Sequence, residues 1–121
     1  YKCGGYLIIE QTEAMCVIDV NSGKNIAKSK KQADKERAAL GVNMEAAAQV
    51  INQIRLRNIS GIIIIDFINM QEEASVKELL SYMKGLAKKE HITTNVVDMT
   101  PLGLVEMTRK NNGKTLKELI R

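Results

Sequence analysis

Ile62, Ile63, Ile64 and Ile65 stand consecutively between Gly61 and Asp66, and no other stretch restricts the fold so strongly. An unbroken β-branched run of this length suits a short strand covered on both faces, at the centre of a sheet. The segments on either side have a different period. Ahead of the run, Met44, Ala47, Ala48, Ile51 and Ile54 repeat at helical spacing, with Asn43 as a plausible N-cap and Arg55 and Arg57 near the negative end of the dipole. The spacing predicts a helix over about 43–57, stopped by Asn58 and Gly61. Behind the run, Glu72 and Glu73 open a segment that places Val76, Leu79, Leu80, Met83 and Leu86 on one face and closes on Lys88 and Lys89, a second amphipathic helix. A central strand between two such helices requires each helix to pack on the sheet that it bridges.

The remaining segments complete an α/β fold with a mixed β-sheet, an N-terminal hairpin and crossover helices. Residues 6–10 and 14–19 read as antiparallel strands around the polar Gln11-Thr12-Glu13. Residues 94–99 and 104–108 read as two more strands, separated by Pro101 and Gly103, and 115–120 as a short terminal helix with Leu116, Leu119 and Ile120 on one face. Residues 24–42 show no apolar period before about Ala38 and are expected to form a long basic loop, partly helical at most. The chain of 121 residues is the size of one domain, 1–121, with no internal linker or repeat. Its start at Tyr1 rather than Met suggests a piece of something longer.

Cys3 and Cys16 have neither metal-site spacing nor the density of a disulfide framework, which points to a reducing compartment. With no apolar stretch of membrane-spanning length and no signal-peptide core, the expected location is the cytoplasm. The formal net charge of +4 biases the surface only weakly toward polyanions, but its distribution is uneven. Lys24, Lys28, Lys30, Lys31, Lys35 and Arg37 cluster with only Asp34 and Glu36 as acids. Any one of these side chains reads as solvated surface, and the group as a phosphate-contacting patch.

Two strands end alike, in Val17-Ile18-Asp19-Val20-Asn21 and Ile64-Ile65-Asp66-Phe67-Ile68-Asn69. A carboxylate beside a buried strand needs a neutralising partner, so either a Lys or Arg pairs with each acid or one cation serves both. In open α/β sheets the crevice at the carboxyl ends of strands is the usual ligand site. Magnesium keeps several waters and is held by one or two carboxylates together with substrate phosphate, so Asp19 and Asp66 are a sufficient protein share. Asn21 can orient a carboxylate or a phosphate oxygen, or simply begin the turn Asn21-Ser22-Gly23. The lack of a His/Cys cluster argues against zinc. His91, the single histidine, follows a helix end and is given no role, and it offers no base for Ser22 or Cys16 as a nucleophile.

In series, Gly4-Gly5, Gln11-Thr12-Glu13-Ala14, Ile18-Asp19-Val20-Asn21-Ser22-Gly23, Asn43-Met44-Glu45-Ala46-Ala47, Gln53-Ile54-Arg55-Leu56-Arg57, the Gly61 to Ile68 block and Gly103-Leu104-Val105-Glu106-Met107-Thr108-Arg109 resemble the DNase I-like subdomain of the ribonuclease E/G family. The resemblance implies a Mg2+-dependent endoribonuclease acting on single-stranded RNA and leaving a 5′-phosphate on the downstream product. It places metal ligation on Asp19 and Asp66 and an assisting role on Asn21. Candidate RNA contacts are Lys24, Lys28, Lys30, Lys31 and Arg109. The pattern departs from the family at Asn69, where a further Asp is usual, and over 24–42. The family's OB-type RNA-binding domain, 5′-end sensor and Cys-Pro-x-Cys segment do not occur in this chain, so the expected partners include the rest of a parent enzyme and, through those segments, a homo-oligomer. The alternative is a non-catalytic RNA-binding or self-association module. A phosphoacceptor signalling domain ranks last, because Asp19 lacks an acidic neighbour.

Overall fold

The structure, a computed structural model, describes residues 6–21 and 31–111. Its elements run β1 (Tyr6–Gln11), β2 (Met15–Asn21), α1 (Gln32–Leu56), β3 (Gly61–Asp66), α2 (Glu73–Lys88), β4 (Thr94–Met99) and β5 (Leu104–Arg109). The strands form one mixed sheet in the order β1-β2-β3-β5-β4, and β2 with β3 is its parallel pair. The β1–β2 hairpin turns at Thr12, whose N–H and Oγ1–H donate to the Met15 carbonyl at 2.9 and 3.0 Å. Parallel strands cannot be joined by a tight turn, and here α1 forms the crossover.

Alternation along the strands sends Cys16, Ile18 and Val20 of β2, Ile63 and Ile65 of β3, Val96 of β4, and Val105 and Met107 of β5 to one face. Both helices cover it. Val42, Ala46, Ala47, Val50, Ile51 and Ile54 of α1 and Leu79, Leu80, Met83 and Ala87 of α2 join those strand residues in a single core. The opposite face has no covering layer among the described residues. Ile62 is 47% exposed, and Ile8, Met15, Val17 and Val97 are also open to solvent. The expectation that the isoleucine run is covered twice is therefore corrected. Ile63 and Ile65 are buried, while Ile62 and Ile64 line an open surface that β-branched residues tolerate without burial.

The first helix begins at Gln32, well before the expected start, so 32–42 is helix rather than loop. Asn43 is not its N-cap but an interior residue with no solvent exposure. The early turns escape an apolar count because two of their buried positions are polar, Glu36 and Asn43. Residues 22–30, with the rest of the expected basic loop, and the expected helix over 115–120 lie outside the described residues.

The end of α1 follows the sequence reading. Asn58 adopts a φ of 51°, its N–H donates to the Arg55 carbonyl, and the Ile59 N–H reaches back to the Ile54 carbonyl at 3.0 Å. These two bonds form a Schellman motif, and Ile54 and Ile59 are both buried in the core.

Candidate metal centre

Asp19 lies between the buried Ile18 and Val20 near the end of β2, and Asp66 is the last residue of β3. The parallel register makes them direct partners across the sheet. Both follow an inward-pointing Ile, so both carboxylates emerge on the uncovered face, at the carboxyl ends of adjacent parallel strands. Like charges placed directly opposite one another destabilise a sheet unless something compensates them. Among the described residues Arg37 pairs with Asp34 and Arg55 with Glu90, and no ion pair joins Asp19 or Asp66 to a basic side chain. Of the two possibilities left open by the sequence, a paired Lys or Arg is thus not found in the described part of the molecule.

Two clefts meet at Asp66. One, of about 330 Å3, is lined by Ile8, Glu10, Val17, Asp19 and Asp66 on the open sheet face. The other, of about 360 Å3, runs from Asp66 to Met70 on one side and from Met99 to Gly103 on the other. Its second wall is the β4–β5 turn. There the Thr100 N–H donates to the Leu104 carbonyl at 2.7 Å, and Gly103 takes a φ of 86° that favours glycine. Leu102, at the tip, is 87% exposed.

The segment that follows Asp66 is held from behind by α1. Asn43 donates through Nδ2 to the Ile68 carbonyl and accepts the Ile68 N–H at Oδ1, both at 2.9 Å. About two turns earlier in α1, Glu36 accepts the Gln71 N–H at Oε1 (2.8 Å) and the Glu72 N–H at Oε2 (3.0 Å). Glu36 thereby caps α2, whose own N-cap Glu72 makes no side-chain bond. Burial pushes the Glu36 carboxyl up, but the Gln71 and Glu72 amides and the Ser75 side chain outweigh it and hold the carboxyl below its ordinary range. These two positioning residues were not identified as such from sequence. The signal that could have found them is a polar residue at a helix position whose phase points inward.

The other expected residues are dispersed. Asn21 ends β2, half-buried, opposite Tyr6, and alternation sets it on the same face as Asp19. Lys31 is exposed at the start of α1, and Lys24, Lys28 and Lys30 lie outside the described residues. Arg109 departs from the expectation of an RNA contact. It is buried on the helix-covered face, aligned with Gly61 at the opposite end of β3 from Asp66. Its Nη1 donates to Asn58 Oδ1 at 3.0 Å and to the Ile59 carbonyl at 2.9 Å, so the guanidinium ties β5 to the end of α1. Cys16 is a free, buried thiol that burial pushes up, with Arg57 opposing.

The donor set fits a hard, hydrated cation better than a closed structural site. No group of three or more His, Cys, Asp or Glu side chains capable of holding a metal occurs among the described residues. Two carboxylates suit an ion that keeps most of its waters, as magnesium does.

Residues 1–112 match the sequence model of the Ribonuclease E/G family. The chain belongs to the ribonuclease E/G family. Among curated relatives, it is 42% identical over 119 residues to Ribonuclease G of Haemophilus influenzae, covering 98% of this chain and 23% of the relative. It is 43% identical over 116 residues to Ribonuclease E of Synechocystis sp., covering 96% of this chain and 17% of the relative. Ribonuclease G of Escherichia coli K12 is 39% identical over 119 residues, with 98% and 24% covered. This ribonuclease E/G chain therefore spans at most about a quarter of the length of these relatives. No helix among its described residues is long and apolar enough to cross a membrane.

Proposed function

We propose that this chain is the catalytic subdomain of a Mg2+-dependent endoribonuclease that hydrolyses phosphodiester bonds in single-stranded RNA in the cytoplasm. The observation that carries the reading is the in-register pairing of Asp19 with Asp66 on adjacent parallel strands, exposed and without a basic partner among the described residues. Family membership supports it, since the relatives are named ribonucleases. Asp19 and Asp66 would hold the ion, which when bound polarises a phosphoryl oxygen and lowers the pKa of its water. The two carboxylates supply the negative charge that retains a cation beside an RNA phosphate, and Asn21 orients them from the same face. The Asp66 cleft, walled by Met99 to Gly103, gives the strand a place to lie. RNA clamping and 5′-end sensing fall to other parts of the longer parent enzyme, and the chain alone is weakly active or inactive.

Amide NMR with Mn2+ as a broadening probe tests the ion site. Resonances of Asp19, Asn21 and Asp66 should broaden together in the wild-type chain and not in Asp66→Asn. An identical response from both removes the metal reading. In the full-length enzyme, Asp19→Asn and Asp66→Asn should each lower RNA cleavage at least a hundredfold while RNA affinity stays within a few-fold.

A second reading, a self-association or docking module, is favoured by the open apolar surface of Ile8, Met15, Val17, Ile62 and Val97. It predicts a chain whose oligomeric state depends on that surface and whose aspartates can be replaced without effect on the parent's activity.

A further inference from the structure

The outward side of α2 carries Lys77, Lys84 and Lys88 against Glu73 and Glu78, and it is grooved and unused by the site described above. Lys77, Leu80, Ser81, Lys84, Gly85 and Lys88 line a groove of about 560 Å3. The spacing of Lys77, Ser81, Lys84 and Lys88 aligns them in one stripe of the helix, where residues three or four apart are neighbours. All three lysines are exposed, and none takes part in an ion pair among the described residues. The floor is as informative as the rim. Gly85 lies inside the helix, where glycine weakens the structure relative to alanine. Yet a β-carbon built there meets nothing within 4 Å, and its φ is not positive, so neither packing nor backbone requires glycine at this position. Without a side chain there, the floor of the groove stays open.

We propose that this groove is a second nucleic-acid site, in which the phosphate backbone of a single RNA strand lies along α2 against Lys77, Lys84 and Lys88. A protein partner fits less well. Interface cores are depleted in lysine and enriched in aromatic residues, whereas this groove has three lysines and no aromatic lining. Because α2 packs on the covered face of the sheet and the Asp19–Asp66 pair emerges on the other, the groove binds RNA independently of the metal. It serves as an exosite that holds a stretch of RNA away from the bond to be cut.

The test is fluorescence anisotropy of a labelled oligouridylate with the 121-residue chain in EDTA, so that neither metal nor cleavage contributes. Each phosphate neutralised on a single strand adds about 0.7 to the slope of log affinity against log salt. Lys77→Ala/Lys84→Ala/Lys88→Ala should therefore lose about 2 from the slope and at least tenfold in affinity at low salt. A control triple with the same net charge, Arg57→Ala/Lys89→Ala/Lys110→Ala, drawn from exposed cations outside the groove, should lose much less. Gly85→Gln, which keeps the charge and fills the floor, should weaken binding several-fold with no fall in Tm. Equal losses from the two triples, unchanged binding by Gly85→Gln, displacement of RNA by polyglutamate at equal charge, or no binding by the wild-type chain would each overturn the proposal.

Discussion

Asn43 and Glu36 show how a single polar side chain can fix the position of a loop that it does not belong to. Asn43 satisfies both backbone groups of Ile68, two residues past Asp66, from inside a helix. Replacing it with Leu keeps the volume but leaves a buried N–H and C=O unpaired, which should cost about 2–4 kcal/mol. Urea denaturation measures the loss, and faster hydrogen exchange at the Ile68 amide should accompany it. Glu36 adds a pH dependence with a definite sign. Its carboxyl is depressed in the fold, so the ionised form stabilises the native state above the unfolded value of about 4.3, and that stabilisation is lost as pH falls through the lower folded value. In thermal unfolding between pH 7 and 3, Glu36→Gln should be less stable at pH 7 and fall less steeply in acid. Parallel curves for the two proteins would refute this account.

At the scale of elements, α2 was legible because its apolar residues repeat at helical spacing, and β3, the β1–β2 hairpin and the β4–β5 pair because short apolar, β-branched runs stand between turn residues. Asp19 and Asp66 were legible as two similar motifs, each an Asp after a β-branched pair, while the register that makes them partners comes from the structure. What could not be read was the start of α1, where the inward phase is occupied by Glu36 and Asn43 rather than aliphatic residues, and the inward turn of Arg109. Polar residues that face inward to bond backbone groups break the apolar pattern on which such reading depends. The close of α1 was better signalled, by Asn58. There, Asn58→Ala loses the bond to Arg109 and keeps a β-carbon at positive φ, whereas Asn58→Gly loses the bond but removes the β-carbon. The expected order of Tm is wild type, then Gly, then Ala, with Ala about 1–2 kcal/mol below wild type.

Taken together, the described residues form a two-layer sandwich with one apolar surface uncovered among them. Exposed apolar area of this kind promotes association of isolated chains. Ile62→Lys/Val97→Lys should reduce concentration-dependent sedimentation while changing stability by less than about 1 kcal/mol, since surface substitutions away from buried groups cost little. If sedimentation is unchanged, that surface plays no part in association.

The parallel pairing of β2 with β3 also sets when the Asp19–Asp66 pair can come into being. All of α1 separates the two strands along the chain, so their contact is long-range, and contacts of that kind close late because loop entropy must be overcome first. The hairpin and the helices can form while the two aspartates are still far apart. An ion that needs both carboxylates therefore binds only after the crossover has closed, and its capture during refolding would time the arrival of β3 against β2.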